Sequence, residues 1–529
     1  MERLQQMLSL HPEYQEQLFI RGFIMTDTTL PSLSEFPFYN CFSDYCVGQY
    51  TIRVHKSQKV AISRYKEVAF MLLGNCVNPF SEVISEQEII EKIAVFQTID
   101  SEDALTYINE LTGDFLIIEY NHGILRFLSD PAGMQFACYG LVNHSIFVSS
   151  HAQLVADVIP LTKSSYTQRL EKYRFFYKYG LFFPGDLTQY TELHRLLQNH
   201  ITTFDGNGFS FKRFYPSEQL QPTQSEQEYS DLLHDVICIL HNTMQCYAKK
   251  YRVPAISMTG GMDSKTTLAC TNGLYDKFQY YSYVTMPGDV IDAEAAHKIA
   301  EQLAIPHHIH NVTREDQQFP NIEIARAVLE HNNGGYHVND NDVRKREYFR
   351  EFCRESSGFD VEVKSWVSEI ARANYYKKFG LRKMPEHLTP KNMSSMYKVF
   401  LWQRRLYEQT NRVFRDFIEK TGFHSFPEGY DESDMYLWEF RYSAWGGIVI
   451  TSEHSYSNEI VIPFNNRSLL DRMLKAPKEK RISDEFHEDI IRTANQSIAD
   501  LGITVTNWNE TKNRMRLERL YFLVNSHLP

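Results

Sequence analysis

Short apolar runs broken by turn residues dominate the chain up to residue 215. In "GDFLIIEYNHGILRFLSDPAGMQFACYGLVNHSIFVSSH" the runs 115–118, 124–128 and 146–148 are separated by Asn121-His122-Gly123, Asp130-Pro131-Ala132-Gly133 and Val142-Asn143-His144. Such residues supply the backbone conformations expected between antiparallel strands. Residues 1–215 therefore predict a sheet domain with flanking helices. The polar stretch 216–225, "PSEQLQPTQS", holds two prolines and reads as a linker.

From residue 225 the period changes. Ser225 and Glu228 stand at capping-box spacing. Tyr229, Leu232, Leu233, Val236, Ile237, Leu240, Met244 and Tyr247 then recur at a helical period. A short apolar strand "VPAISM" follows, then a glycine loop, then a helix from about Ser264 to Gly273. The order continues with a strand in "QYYSYV", a helix in "DAEAAHKIAEQLA" and a strand near "HHIHNV". A helix in "NIEIARAVLEHN" and a strand in "FDVEVKSW" come next. Alternating strands and helices predict a doubly wound parallel sheet, whose ligands bind at the carboxyl ends of the strands. Residues from about 377 onward read as helical and aromatic-rich. The predicted class is α/β combined with α+β, with domains at 1–215 and 225–529.

The loop "SMTGGMDSKTT" lies where such a ligand would sit. A Walker loop ending at Lys265-Thr266 needs glycine at the positions held by Thr259 and Ser264. Asp263 would also repel the phosphates. An acid in the loop is useful instead if it holds Mg2+, which neutralises phosphate oxygens. The amides of Gly260, Gly261 and Met262 at the helix start would then cradle the pyrophosphate part of ATP, with the Ser257, Thr259 and Ser264 hydroxyls beside them. Glycine lets the backbone approach the anion. A plain glycine turn with a surface Asp-Ser cap is the competing interpretation.

Composition narrows the classes. The 529 residues are 43% hydrophobic and 23% charged, the balance of a globular protein. The formal charge of −11, 55 basic against 66 acidic residues, argues against a nonspecific nucleic-acid binder. No apolar run approaches the roughly 18–20 residues of a membrane span, and the start lacks a signal core. Eight cysteines without a CxxC pair read as reduced thiols. Cys41 and Cys46 lie closest together, with no further zinc ligands at suitable spacing. The expectation is a cytoplasmic enzyme without a metal cluster or a membrane partner, and a homo-oligomer is compatible with it.

"MTGGMDS" resembles the SGGxDS loop of the ATP pyrophosphatases, with Thr259 for the first serine. "LTGDFLIIEY", "SDPAGMQFACYG" and "FVSSH" resemble, in order and spacing, the amino-terminal glutaminase domain of the asparagine synthetase group. "DAEAAHKIAEQLAIPHHIH", "VSEIARANYY", "RYSAWGG", "SNEIVIPFNN" and "HEDIIR" resemble successive segments of its synthetase domain. The resemblance spans nearly the whole chain. It implies an Ntn-hydrolase-like antiparallel domain followed by an ATP pyrophosphatase domain. The implied enzyme is a cytoplasmic biosynthetic ligase that adenylates a small-molecule or peptide carboxylate with ATP and Mg2+ and forms an amide with an amine or ammonia.

Departures from the group's pattern modify that expectation. Glu2 follows Met1 where the group exposes a nucleophilic cysteine, so no glutaminase activity is expected. In this the chain resembles the β-lactam synthetases and lasso-peptide cyclases. Ser368-Glu369 replaces an Asp-Glu pair. Glu369 is assigned as the second metal ligand beside Asp263, against the alternative of a solvated glutamate at a helix start. Asp292 and Glu294 have an equally good explanation as helix N-terminal charges. Asn465-Asn466 replaces the charged end of the acceptor segment, which implies an acceptor other than aspartate. Glu488 falls where the group has a lysine that stabilises the intermediate; either His487, Lys478, Lys480 or Arg481 substitutes, or the ligation step is impaired. Lys265 either contacts phosphate or points to solvent. In "YLWEFRYSAWGG" the rings around Arg441 either stack on an acceptor or belong to the core. The alternative to a ligase is a degenerate homologue that holds a nucleotide or partner without turnover.

Overall fold

The computed structural model describes residues 2–173, 176, 182–312, 319–334, 340–503, 505 and 512–527. Two six-stranded antiparallel sheets form the amino-terminal half. One runs, in spatial order, His194–Arg195, Cys138–Val142, Ser145–Ser149, Phe23–Thr26, Tyr50–His55 and Phe42–Val47. The other runs Phe209–Arg213, His200–Phe204, Ile124–Ser129, Thr112–Asn121, Val68–Val77 and Val60–Tyr65. Side chains alternate between the two faces of a strand, and the Thr112–Asn121 strand uses both. Leu116 and Ile118 meet Met25 and Ile52 of the opposite sheet. Phe115 and Ile117 pack with Ile89, Ile90, Ile93 and Ile108 of the Glu86–Val95 and Glu102–Asn109 helices. On the far side of the other sheet, Ile24, Phe42 and Phe147 share a core with Leu4 and Leu8 of the Glu2–Leu10 helix. The result is a four-layer sandwich of helix, sheet, sheet and helix.

One sequence expectation needs correction. Asn121-His122-Gly123 and Val142-Asn143-His144 do join adjacent antiparallel strands. Asp130-Pro131-Ala132-Gly133 instead carries the chain from one sheet to the other. The Asp130 carboxylate fixes this crossing by accepting the N–H groups of Ala132, Met134 and Gln135 at 3.1, 2.9 and 2.8 Å.

The 225–529 half is built on a five-stranded sheet in the order His308–Asn311, Gln279–Val284, Pro254–Ser257, Val361–Val363 and Glu459–Val461. Every neighbouring pair is parallel. Ile256, Tyr280 and Val361 face Met244, Leu268 and Ile299 of the helices on one side, and Ala255 and Tyr281 face Phe349 and Cys353 on the other. The strand Glu459–Val461 lies within the stretch expected to be helical. Its three residues are too few for an alternation to register in the sequence. The long helix spans Glu226–Lys250, with Ser225 Oγ accepting the Glu228 N–H at 3.2 Å as the capping spacing implies. The Glu228 carboxylate reaches back to the Gln224 N–H, at 2.6 Å, rather than to Ser225.

The two halves share a polar seam. Asn465 Nδ2 donates to Gly113 O at 2.7 Å, Asp114 Oδ1 at 3.0 Å and Asp130 Oδ1 at 2.9 Å, and its Oδ1 accepts the Ala132 N–H at 3.0 Å. Asn466 Nδ2 donates to Glu110 O and Thr112 Oγ1. Arg467, fully buried, donates to Asn199 Oδ1 and Ser129 O. Asn465 and Asn466 therefore serve the seam between the two halves. The 216–225 linker is likewise docked: the Leu220 N–H donates to Glu428 O at 2.9 Å and the Thr223 N–H to Lys475 O at 3.0 Å. Among the described residues no helix is long and apolar enough to cross a membrane.

Candidate active site

Chain direction in the parallel sheet decides where a site can form. The first three strands run outward from Pro254–Ser257, and the fourth, Val361–Val363, returns to its other side. Connections leaving these two strands diverge, which opens a crevice at their carboxyl ends. The loop carrying Asp263 leaves one strand and the segment carrying Ser368 and Glu369 leaves the other. These acids, more than 100 positions apart in sequence, meet there.

The loop passes into the Met262–Cys270 helix, two residues earlier than the pattern suggests. Its backbone is partly self-satisfied. The Thr259 N–H donates to Ser264 Oγ at 3.0 Å and the Gly261 N–H to Thr259 Oγ1 at 3.1 Å. The Gly260 N–H meets the Asp292 carboxylate, so Asp292 serves the loop as well as its own helix start. A Cβ at Gly260 would strike Val505 and come within 2.7 Å of Ala295. Packing thus demands glycine at 260, whereas a Cβ at Gly261 meets only Thr259 Oγ1 at 3.1 Å. Ser257 ends the strand just before the loop.

The opposite wall is held in a strained turn. Val367, buried and β-branched, sits at φ 80° and Ala373 at φ 47°, bracketing the Ser368–Arg372 turn of 3₁₀ helix. A β-branched residue at positive φ is a genuine outlier and persists only where its surroundings enforce it. The turn directs three side chains to one place. Ser368 Oγ donates to Asp263 Oδ1. Arg372 Nη1 donates to Asp263 Oδ2 at 2.7 Å, and its Nε to Asp484 Oδ1 at 2.9 Å. Glu369 accepts the Tyr442 hydroxyl on Oε2. Lys377 also pairs with Asp484.

These neighbours set the protonation states. Burial, and then the Asp263 charge, raises the Glu369 carboxyl to about 7. Burial opposes the Arg372 cation, but Asp263 and Asp484 outweigh it and keep it charged. Asp484 would be raised by burial, yet Arg372 and Lys377 hold it below the ordinary carboxylate value. Burial, and then Arg372, lowers Lys377.

The expected catalytic residues fall differently. His487, in the Glu485–Ala494 helix, is fully buried beside this cluster, and neither ring nitrogen has a hydrogen-bond partner among the described residues. Burial lowers its pKa to about 4, so it is uncharged at neutral pH and cannot replace a lysine's charge. It can offer one N–H and one acceptor. Lys265 takes neither expected course: its ammonium donates to Ile503 O at 2.6 Å and ties down the chain near the carboxyl end. Lys480 pairs with Glu485 and Asp489 at 2.6 and 3.2 Å and lies 4.4 Å from the Tyr229 ring centroid, not on the Asp263 cluster. Lys478 is held by Asp431 at 2.8 Å and Arg481 by the buried Asp434 at 2.8 Å. Among the described residues, the cations paired with Asp263 and Asp484 are Arg372 and Lys377. Arg372 lies inside the "VSEIARANYY" match, so its helical offset from Glu369 was available in the sequence. Tyr442 lies inside the "RYSAWGG" match, whereas Asp484 carried no sequence signal.

The rings of "YLWEFRYSAWGG" belong to the core or pack partly buried against it. Trp438 and Phe440 are core residues. Trp445 stacks on Trp366 with centroids 4.9 Å apart, and the Arg441 guanidinium lies 5.7 Å from the Trp445 ring centroid. All eight cysteines are free thiols.

No protein-family model matches the chain, and no curated protein matches it. Among solved structures it is similar to the allosteric regulatory enzyme of purine biosynthesis, at 12% identity and a TM-score of 0.24, over 56% of this chain and 61% of that one. It is also similar to glutamine phosphoribosylpyrophosphate amidotransferase from B. subtilis, at 11% identity and a TM-score of 0.22, over 69% of this chain and 74% of that one. Scores this low leave the fold to be defined by the sheet topology itself.

The carboxylates fit a divalent cation in one respect. Glu369 is raised partly because Asp263 stands near it, and a shared cation relieves that repulsion. Arg372 supplies the compensating charge in the structure described.

Proposed function

We propose that the chain is an ATP-dependent, AMP-forming carbon–nitrogen ligase of the asparagine synthetase type. It would adenylate a substrate carboxylate, release pyrophosphate, and join the acyl group to ammonia or a substrate amine without hydrolysing glutamine. The observation that carries this reading is the convergence of Asp263 and Glu369 at the switch point of a parallel sheet, directly after a glycine loop. Asp263 and Glu369 would hold Mg2+, which when bound offsets the charge of the phosphates. For that, Arg372 must leave Asp263. Its guanidinium and the Lys377 ammonium are then available to phosphate oxygens, which a planar fork engages bidentately. The neutral His487 offers an N–H to the same region without adding charge. Glu369, titrating near neutrality, must give up its proton to bind a cation. The Trp366–Trp445 stack beside Arg441 supplies a flat apolar wall for the acceptor.

A second reading, a nucleotide-holding protein without turnover, is favoured by the occupied Asp263 and by the Gly260 and Gly261 amides already paired within the protein. Exchange of labelled pyrophosphate into ATP over a panel of carboxylic acids separates the two. The ligase reading expects magnesium-dependent exchange with at least one acid, reduced on the order of 10²–10³-fold in Asp263→Ala, the size of one lost electrostatic contact to a developing charge. Stabilisation by ATP and magnesium without exchange for any acid selects the holding protein. Release of ADP and orthophosphate sinks both.

A further inference from the structure

The helical region beyond residue 377 brings together two histidines and a glutamate that the site above does not use. His387 Nδ1 and His424 Nδ1 each lie 2.8 Å from the same Glu432 oxygen, Oε1. The three potential ligand atoms all fall within 4.8 Å of one another. We propose that His387 Nδ1, His424 Nδ1 and Glu432 Oε1 bind one zinc-class divalent ion, with its fourth position open to solvent.

Three features of the chain carry this beyond a chance ion pair. The donor set matches the ion. Two imidazoles and one carboxylate suit a borderline metal such as Zn2+ better than Mg2+ or Ca2+, which take oxygen ligands. The ligands are fixed from behind. Glu432 is buried at 4% exposure, and its other oxygen, Oε2, accepts the Leu388 N–H at 2.6 Å. That bond orients the carboxylate and simultaneously fixes the residue after His387, as outer-shell partners of metal ligands do. The backbone is fixed too. His387 precedes the Thr389–Asn392 capping box of the Pro390–Met396 helix, and His424 follows Gly422, which ends the Arg404–Thr421 helix at φ 58°. Finally, access exists, because the His387 side chain is 63% exposed and that of His424 38%.

The geometry needs little change. Zinc bonds of about 2.0–2.2 Å in a tetrahedron separate ligand atoms by roughly 3.3 Å, so each histidine moves from Glu432 by about half an ångström. The ion takes the place of the Nδ1 protons, each ring then carrying its one proton on Nε2, so binding competes with protonation of the imidazoles and weakens at low pH. A metal here would staple three segments at the start of the Glu432–Tyr436 helix. That helix continues into the Leu437–Gly446 segment bearing Tyr442, so the staple anchors the support of Glu369 without touching it.

The test uses the full chain, stripped with chelator and titrated with Zn2+ against a chromogenic competitor. Co2+ is titrated separately for its visible spectrum. Expected are one zinc per chain, an intense four-coordinate cobalt band and a zinc-dependent rise in Tm. His387→Ala and His424→Ala should each weaken binding at least tenfold and abolish the band. Both residues are surface-exposed, so their metal-free Tm should match the wild type. Glu432→Gln, which keeps a carbonyl for Leu388, provides a third variant. His307→Ala is the control, since His297 and His307 form another pair with Nδ1 atoms 3.2 Å apart. It should bind zinc as the wild type does. Wild-type zinc binding that persists in His387→Ala and His424→Ala, disappears in His307→Ala, or is absent altogether overturns the proposal.

Discussion

The seam between the halves and the crevice of the parallel sheet both gather carboxylates away from water, and they neutralise them by different means. At the seam, burial raises Asp114, with Asp130 adding to the effect, and burial raises Asp130 as well. Their hydrogen bonds come from uncharged groups, the Asn465 amide and the N–H groups of residues 132, 134 and 135, while Asp114 Oδ2 has no partner among the described residues. A cavity of about 30 Å³ lined by Asp114, Arg21 and Gln135 leaves room for a water or two. In the crevice, Asp263 and Asp484 are compensated by Arg372 and Lys377 on long, flexible stems. Short amides and backbone donors cannot be withdrawn without unfolding the seam. Long cations can be exchanged for a ligand. The difference marks the first region as a joint and the second as a site.

The largest expected effect tests the joint. Asn465→Leu removes four hydrogen bonds at once and leaves Asp114, Asp130 and the Gly113 carbonyl short of donors. It should cost about 3–5 kcal/mol in urea unfolding. A loss below about 1 kcal/mol would mean that the seam is not held by this side chain.

A smaller effect sharpens the crevice. Because Glu369 titrates near 7 when folded and near 4.5 when unfolded, folding takes up a proton there. Its favourable contribution is complete below about 4.5 and is lost as pH rises through 7. Glu369→Gln cannot ionise, so its stability relative to wild type should grow between pH 5 and 8 and reach about 2 kcal/mol. A constant difference over that range contradicts the raised carboxyl of Glu369.

The smallest effect checks a reassignment. Lys480→Ala, which breaks partly exposed pairs with Glu485 and Asp489, should change stability by less than about 1 kcal/mol and leave pyrophosphate exchange unchanged. A collapse of exchange in this variant would return Lys480 to the site.

Legibility in the sequence followed locality. The strand Gln279–Val284 and the capped helix Glu226–Lys250 appear almost residue for residue, because period and capping are properties of neighbouring residues. The convergence of Asp263 with Glu369 was legible only through the resemblance. The destinations of Lys265, Lys480 and Asn465 were not legible, since a long or polar side chain finds its partner wherever the fold brings one. His387, His424 and Glu432 lie too far apart in sequence for any ligand spacing to be recognised.

By itself the sequence determined the change of period near residue 225, the patterning that gives antiparallel sheets before it and a parallel sheet after it, and the glycine loop with its unusual acid. Those follow from side-chain period and turn chemistry, which act over a few residues. Tertiary structure alone decided that Arg372 and Lys377 are the cations of the crevice, that His487 is buried uncharged, and that Asn465 serves a joint. Charge compensation and desolvation depend on distance in space, and only the packed chain sets those distances.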